Sequence, residues 1–509
     1  MILAVSVVIG PGTWVVAYAG EWFAFPGVSI PISFVLAAVT GLGLGLYYVL
    51  ISTAMPRSGG GSYVPLSRII HPVLGMGMSF ILMAFLILAT AVNASIMASV
   101  AVAAPLATLG TVTGNSGLES ISSTLSTPTW SFVIGFITIL FVALVAVAGN
   151  RVIALINKIT FVIGTVGLIT IVLMLASTTQ PQFQAAFNGF AGSNAYQNMI
   201  TSANTAGYSI PSDWFTPTLL SLPLTFFLLL GYEFNTYYSG EIRRVSRSMT
   251  IAVIFALVFG ALFFGTIAVL MQNAFGLNFI ASASYLYTAS SSSYTLSFAP
   301  WVNNFLVLVD SNWLANSIII ASFVAWGYLL LISWFMVISR HFLAWSFDRA
   351  VPSVLGKVNE RFHSPLVAIV LTFVLSVVAL GFYVFLSSLA ALVNISFLLL
   401  AAVFLDGLAG AVFPWVKKSL FESSPEIVKK KIGGIPVISI LGIYSVVLIG
   451  FLLADSLYNP AIAGPLGAST IAIIFGSFVL GAAIYLAMKS YNARQGLDLS
   501  LVYKEIPPE

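Results

Sequence analysis

The 509-residue chain is 59% hydrophobic and 7% charged, with 19 Lys and Arg, 15 Asp and Glu, 3 His and no Cys. So little polar surface excludes a soluble globule, and the absence of Cys excludes disulfides and thiol chemistry. Apolar stretches of about 20 residues recur between short polar segments, which is the pattern of a polytopic helical bundle rather than the alternating pattern of a membrane barrel.

Twelve spans are predicted, numbered helix 1 to helix 12: 2–24, 29–54, 74–104, 129–148, 155–177, 218–240, 249–271, 314–340, 365–385, 390–414, 436–456 and 465–488. Helix 1 carries Ala17-x-Ala19, a spacing found at signal-peptide cleavage sites. No Lys or Arg precedes its apolar run, however, and the run continues through Trp22 and Phe23, so it reads as a helix that stays. With helix 1 starting inside, the inner segments are 55–73, 149–158, 241–248, 340–362, 415–435 and 489–509. All 19 Lys and Arg fall in them. That bias predicts a multi-pass cell-membrane protein with both termini cytoplasmic, and it makes the formal charge of +4 a topology signal rather than a nucleic-acid footprint. The outer loops 111–129, 177–214 and 281–298 are rich in Ser, Thr, Asn and Tyr. They read as a wetted surface, or alternatively as a lid over an entry path.

Helix 1 contains "VVIGPGTWVV", with Gly10, Pro11 and Gly12 inside an apolar run, and helix 6 contains "GYEFN", from Gly231 through Tyr232, Glu233 and Phe234 to Asn235. Proline removes a backbone donor and glycine tolerates conformations that other residues resist. Backbone groups freed in hydrocarbon are costly unless protein, water or a ligand satisfies them. The two breaks stand five helices apart, which is the placement expected of inverted repeats around a midplane site. The organisation read from this is a first repeat over 1–177, an extracellular loop over 178–217, a second repeat over 218–414, a cytoplasmic loop over 415–435, helices 11 and 12 over 436–488 and a cytoplasmic tail over 489–509. Half-helix amide ends suit an anion and carbonyl ends a cation, so a zwitterion would use both. A simple kink is the competing reading for helix 1. Glu233 is an ionisable group well inside a span and functional by default, or else a structural carboxylate that holds the break together. Asp406 in "VFLDGLAG" is a weaker rival.

Four segments in order resemble the amino acid/polyamine/organocation permeases, whose fold is that of the bacterial leucine transporter. They are "IGPGTW" (9–14), "AMPRSGGGSYVPLSRIIHPVLG" (54–75), "GYEFNTYYSGEIRRVSRSM" (231–249) and "SRHFLAWSFDRAVPSVLGKVNERFHSP" (339–365). The resemblance implies an all-α membrane protein with a 5+5 inverted repeat, broken helices 1 and 6, and two extra helices. By resemblance, Gly10, Pro11, Gly12 and Thr13 would hold a substrate carboxylate. Gly231 and Tyr232 would accept from its ammonium group, Tyr232 or Phe234 would gate the site, and Glu233 would tie helix 6 to its neighbours. Asn93 and Ser322 are further binding candidates, with interhelical hydrogen bonding as their alternative role. Arg57, Glu241, Arg340 and Asp348 would form charge pairs at an inner gate, with topology alone as the alternative for Arg57 and Arg340.

The chain departs from relatives in its coupling residues. Gly164 stands where proton-coupled members place a lysine, Lys158 lies nearly two turns away, and helix 8 offers Ser322 alone where sodium-coupled relatives offer several hydroxyls. Proline at position 11 removes one amide from the carboxylate cradle. The reading is therefore a secondary transporter of amino acids or related organic cations, with no catalytic residue, metal or cofactor, a small-molecule substrate and the lipid bilayer as partners, and proton or sodium coupling left open. A carrier of another solute such as a nucleobase or polyamine, a non-transporting nutrient sensor and, further off, a membrane-embedded enzyme are the alternatives.

Overall fold

The computed structural model describes residues 11–56, 59–242, 244–386, 394–458 and 467–504. Among them, ten helices are long and apolar enough to cross a membrane. They are Ile30–Ala54, Pro72–Thr113, Pro128–Val147, Asn150–Ser177, Val245–Phe275, Trp313–Phe347, Leu366–Phe385, Ile395–Val416, Val437–Tyr458 and Ala468–Arg494. These are helices 2 to 5 and 7 to 12. Helix 6, where a break is expected, has no long uninterrupted run among the described residues, and of helix 1 only the part from Pro11 onward is described. The first ten residues and 390–393 of the predicted helix 10 lie outside the described residues.

Several spans overrun their predicted ends. Helix 3 continues past Ile96 through a π turn, Met97–Ala103, to Thr113, where Gly114 ends it in the left-handed region. Helix 8 runs to Phe347 and takes the apolar "FLAW" beyond Arg340 into the bundle. Helix 1 packs as Pro11–Val15, a π turn Val16–Gly20 and Glu21–Ala24. Trp14, Ala17, Tyr18, Ala19 and Trp22 are buried in the common core.

Helix 6 breaks twice. Phe215–Leu220 is followed at Ser221 by Leu222–Leu229, and then by an extended Leu230 and Gly231 at φ +134°. A side chain at Gly231 would be strained in that conformation. A ten-residue 3-10 helix, Tyr232–Glu241, carries the chain onward. Side chains restrain this segment locally: Asn235 Nδ2 donates to the Tyr232 carbonyl (2.8 Å) and Thr236 Oγ1 to that of Glu233 (2.7 Å).

The most extensive contacts pair helix 2 with helix 7, helix 5 with helix 8, helix 3 with helix 12 and helix 10 with helix 11, while helix 4 lies on helix 9 and helix 3 on helix 10. Small residues set the closest of these approaches, as expected where backbones pack without a hydrophobic drive. At Gly167 of helix 5, a Cβ would stand 2.1 Å from Ser322 Cβ of helix 8. At the end opposite the basic loops, the uncharged segments fold into short helices, Gln180–Ala191, Ala195–Thr205, Leu277–Thr288 and Val302–Val309. They close on Phe183, Phe187, Phe275, Phe279 and Phe305, all fully buried, so these loops are more than a wetted surface. Tyr208 Oη ties that layer to helix 1 by donating to the Trp22 carbonyl (3.0 Å).

Candidate functional site

A cavity of about 180 Å³ opens where helices 1, 3, 6, 8 and 10 converge. Helix 6 reaches it on both sides of its break, through Leu228 and Leu230 before and Phe234 after. The far walls come from Phe85 on helix 3, Trp334 on helix 8 and Leu399 on helix 10. Its polar lining residues among those described are Thr13, Asn93 and Ser396, and none of the described lining residues is charged. The last carbonyls of a helix lack intrahelical partners and form the negative end of its dipole. Leu222–Leu229 ends at this cavity. The arrangement gives a mostly apolar chamber with backbone dipoles rather than side-chain charges at its polar pole.

The predicted site residues divide by position. Thr13, Asn93 and Phe234 line the cavity, and Asn93 also donates to the Ala89 carbonyl of its own helix (3.0 Å). Gly231, Tyr232 and Glu233 stand at the break just beyond the lining. Tyr232 is fully buried and its hydroxyl donates to the Gly41 carbonyl of helix 2 (3.1 Å). Glu233 turns back on the break, with Oε2 accepting the Gly231 amide at 2.6 Å, which is the tethering role weighed for it. Ser322 donates to the Gly164 carbonyl of helix 5 (2.9 Å) and is not among the lining residues. Gly10 lies outside the described residues, as do the side chain of Pro11 and the surroundings of Gly12. The departures in helix 5 have a packing reason: a Cβ at Gly164 would stand 2.6 Å from the Trp326 ring, and Lys158 faces outward from the bundle.

At the basic end of the bundle, Asp348 takes a bidentate bond from Arg68, at 2.5 Å from Nη2 and 2.6 Å from Nη1. The two side chains are 2% and 3% exposed, so this is a buried ion pair. Tyr63 Oη donates to the same carboxylate (2.7 Å) and stands 3.1 Å from Tyr503 Oη of the tail, whose ring lies 5.1 Å from the Arg68 guanidinium. Burial, reinforced by the Asp348 charge, pushes the Tyr503 phenol up, so it stays neutral beside the pair. Of the other gate candidates, Arg340 bonds Asn150 Oδ1 (3.2 Å) and lies over the Tyr238 ring. Arg57 and the Glu241 side chain lie outside the described residues.

Sequence reasoning passed over Arg68, which it counted only as topology, and Glu21. Glu21 is fully buried, accepting from Thr225 Oγ1 (3.3 Å) and lying 3.5 Å from Ser33 Oγ, so that one carboxyl joins helices 1, 2 and 6. Its place inside the apolar run was the available signal. Tyr503 offered none.

A bundle of apolar helices with one interrupted span opening onto a central chamber defines an all-α membrane transporter. The amino acid permease family model matches residues 1–484, and the chain belongs to that family. No curated protein matches the chain closely. Membership makes it a multi-pass membrane protein that carries a small molecule, a transporter rather than an enzyme.

Proposed function

We propose that the chain is a secondary active carrier of neutral α-amino acids with bulky apolar side chains, working by alternating access around the cavity beside the helix 6 break. The observation that carries this reading is the cavity's lining. A zwitterion's ammonium group would meet the carbonyl end of Leu222–Leu229, and an apolar side chain would fill the space between Phe85, Phe227, Phe234 and Trp334. Its carboxylate would lie toward the start of helix 1, near Thr13. A cationic or acidic side chain would find no opposite charge among the described lining residues, and burying it unpaired is costly. The helix pairings support two five-helix repeats. Moving each partner by five helices turns the pair 5 and 8 into 10 and 3, and leaves the pairs 2 and 7, and 4 and 9, as mates. The Arg68–Asp348 pair, with Tyr63 and Tyr503, serves as the latch at the basic end, and the charge bias supports a cytoplasmic side for that end.

The test is uptake of labelled amino acids into proteoliposomes holding the purified carrier, with and without imposed proton or sodium gradients. Leucine and phenylalanine are expected to be taken up and to compete with one another, while arginine, glutamate and putrescine compete poorly. Uptake of no amino acid under any gradient would overturn the carrier reading. Equal competition by arginine would overturn the neutral, apolar preference alone.

A further inference from the structure

We propose that Asp406 on helix 10, seated against Tyr47, Tyr48 and Ser62, is a proton-binding site that couples the carrier to a proton gradient. The coupling role rests on the carrier reading above; proton binding itself does not.

Helix 10 is interrupted at Phe404 and Leu405, and Asp406 opens its second segment inside the span. Its side chain is 2% exposed. Tyr48 Oη donates to Oδ2 at 2.7 Å, Ser62 Oγ donates to the same oxygen, and Tyr47 Oη donates to the main-chain carbonyl of Asp406. The second carboxyl oxygen, Oδ1, is buried and has no hydrogen-bond partner among the described residues. Glu233 repeats the arrangement: Oε2 holds the Gly231 amide, while Oε1 is buried without a partner among the described residues. Tyr237 Oη, also buried, stands within electrostatic reach of both carboxyls.

No basic side chain pairs with either carboxyl among the described residues. On the segments packed against them, Arg68 is committed to Asp348 and Ser67. His341 of helix 8 lies against the Tyr237 ring, with Nδ1 on the Val337 carbonyl. Arg340 is held at Asn150 and Tyr238, Arg247 opens onto the surface pocket at the start of helix 7, and Tyr444 of helix 11 donates to the Thr40 carbonyl.

Two carboxylate charges in one apolar region with no counter-cation among the described residues repel strongly, because the local dielectric screens them poorly. A single proton held by the pair removes one charge and turns a buried acceptor oxygen into a donor. The space beside Asp406 fits no larger ligand. A void of about 10 Å³ lies between Tyr47, Tyr48, Ser62 and Thr236, which is at the lower limit for one water. The proton is taken from water and returned to water, and no other bond forms or breaks.

The site is joined to the cavity through Glu233. An ionised Glu233 gives the Gly231 amide a charge-assisted bond, and a protonated one gives it a weaker bond. The pin at the helix 6 break therefore depends on which carboxyl holds the proton.

Two readouts test this on the intact carrier. In infrared difference spectra between acid and alkaline pH, a carboxylic C=O band is expected that Asp406→Asn removes. Tyr48→Phe should keep the band and move its pH midpoint, which covers the case in which the asparagine variant does not fold. In proteoliposomes, Asp406→Asn should lose at least tenfold in leucine accumulation driven by a pH gradient while still exchanging leucine across the membrane. A band unchanged in Asp406→Asn, a midpoint unmoved in Tyr48→Phe, or accumulation driven by sodium instead of protons overturns the proposal. If the unaltered protein moves no amino acid, the carrier reading fails and the infrared band alone decides the proton site.

Discussion

Replacing Asp348 with Asn should be among the most destabilising single changes outside the cavity. The substitution keeps the shape of the side chain but leaves the Arg68 guanidinium buried at 2% exposure with no counter-charge. Apart from the Tyr503 ring, Arg68 has little else to rely on: Nε has no partner among the described residues, and the remaining hydrogen bond goes to Ser67 Oγ at 2.9 Å. Breaking a buried pair by removing one partner costs about 3–5 kcal/mol, or roughly two to four decades in the folded-to-unfolded ratio. Removing both charges is different, because the desolvation cost disappears with them. Arg68→Met combined with Asp348→Leu should return to within about 2 kcal/mol of the native stability. The assay is equilibrium unfolding of the purified carrier in mixed micelles, run as a double-mutant cycle. If Asp348→Asn lies within about 0.5 kcal/mol of the native protein, as ordinary surface changes do, or if the apolar double variant is the less stable of the two, the buried-charge reasoning is refuted.

Three further changes probe other parts of the molecule. Gly167→Ala sets a methyl 2.1 Å from Ser322 Cβ; a loss of about 1–3 kcal/mol is expected in the same unfolding assay, with recovery on adding Ser322→Gly, and no recovery counts against the contact. Gly231→Ala must hold a φ of +134°, a strain of about 1–3 kcal/mol, so leucine binding measured by calorimetry should weaken by at least tenfold while membrane insertion persists; unchanged affinity removes the break from the site. Tyr503→Ala should destabilise the basic end, seen as faster proteolysis of the 55–73 loop, whereas Tyr503→Phe, which keeps the ring over Arg68, should lie close to the native rate.

The fold was legible because hydrocarbon leaves a chain few choices. A run of about 20 apolar residues must be a helix, and every Lys and Arg lay in the segments assigned to one side. The break at Gly231 was legible for the same reason, since glycine beside a carboxylate in mid-span has few structural uses. Pairing was less accessible. Nothing local to Ser322 distinguishes a hydroxyl facing the cavity from one facing Gly164, because helical rotation of a nearly uniform apolar surface leaves little periodic signal. Asp348 was picked out, but its partner Arg68 lies 280 residues away, and long-range ion pairing has no signature in one sequence. Asp406 was noticed and ranked below Glu233 because it lies only a turn or two from the predicted cytoplasmic end of helix 10, and nothing local marks the interruption at Phe404 and Leu405.

The tail contact at Tyr503 also bears on how the protein is made. Tyr63 and Tyr503 are 440 residues apart in the chain, and at about 5–20 residues per second the ribosome needs roughly 20 to 90 seconds to cover that distance. Through that interval the Arg68 turn waits at the membrane surface without its last neighbour. A nascent chain cut short after helix 12 would therefore hold every membrane span and yet have one unsealed end, open to the proteases and chaperones that survey new membrane proteins.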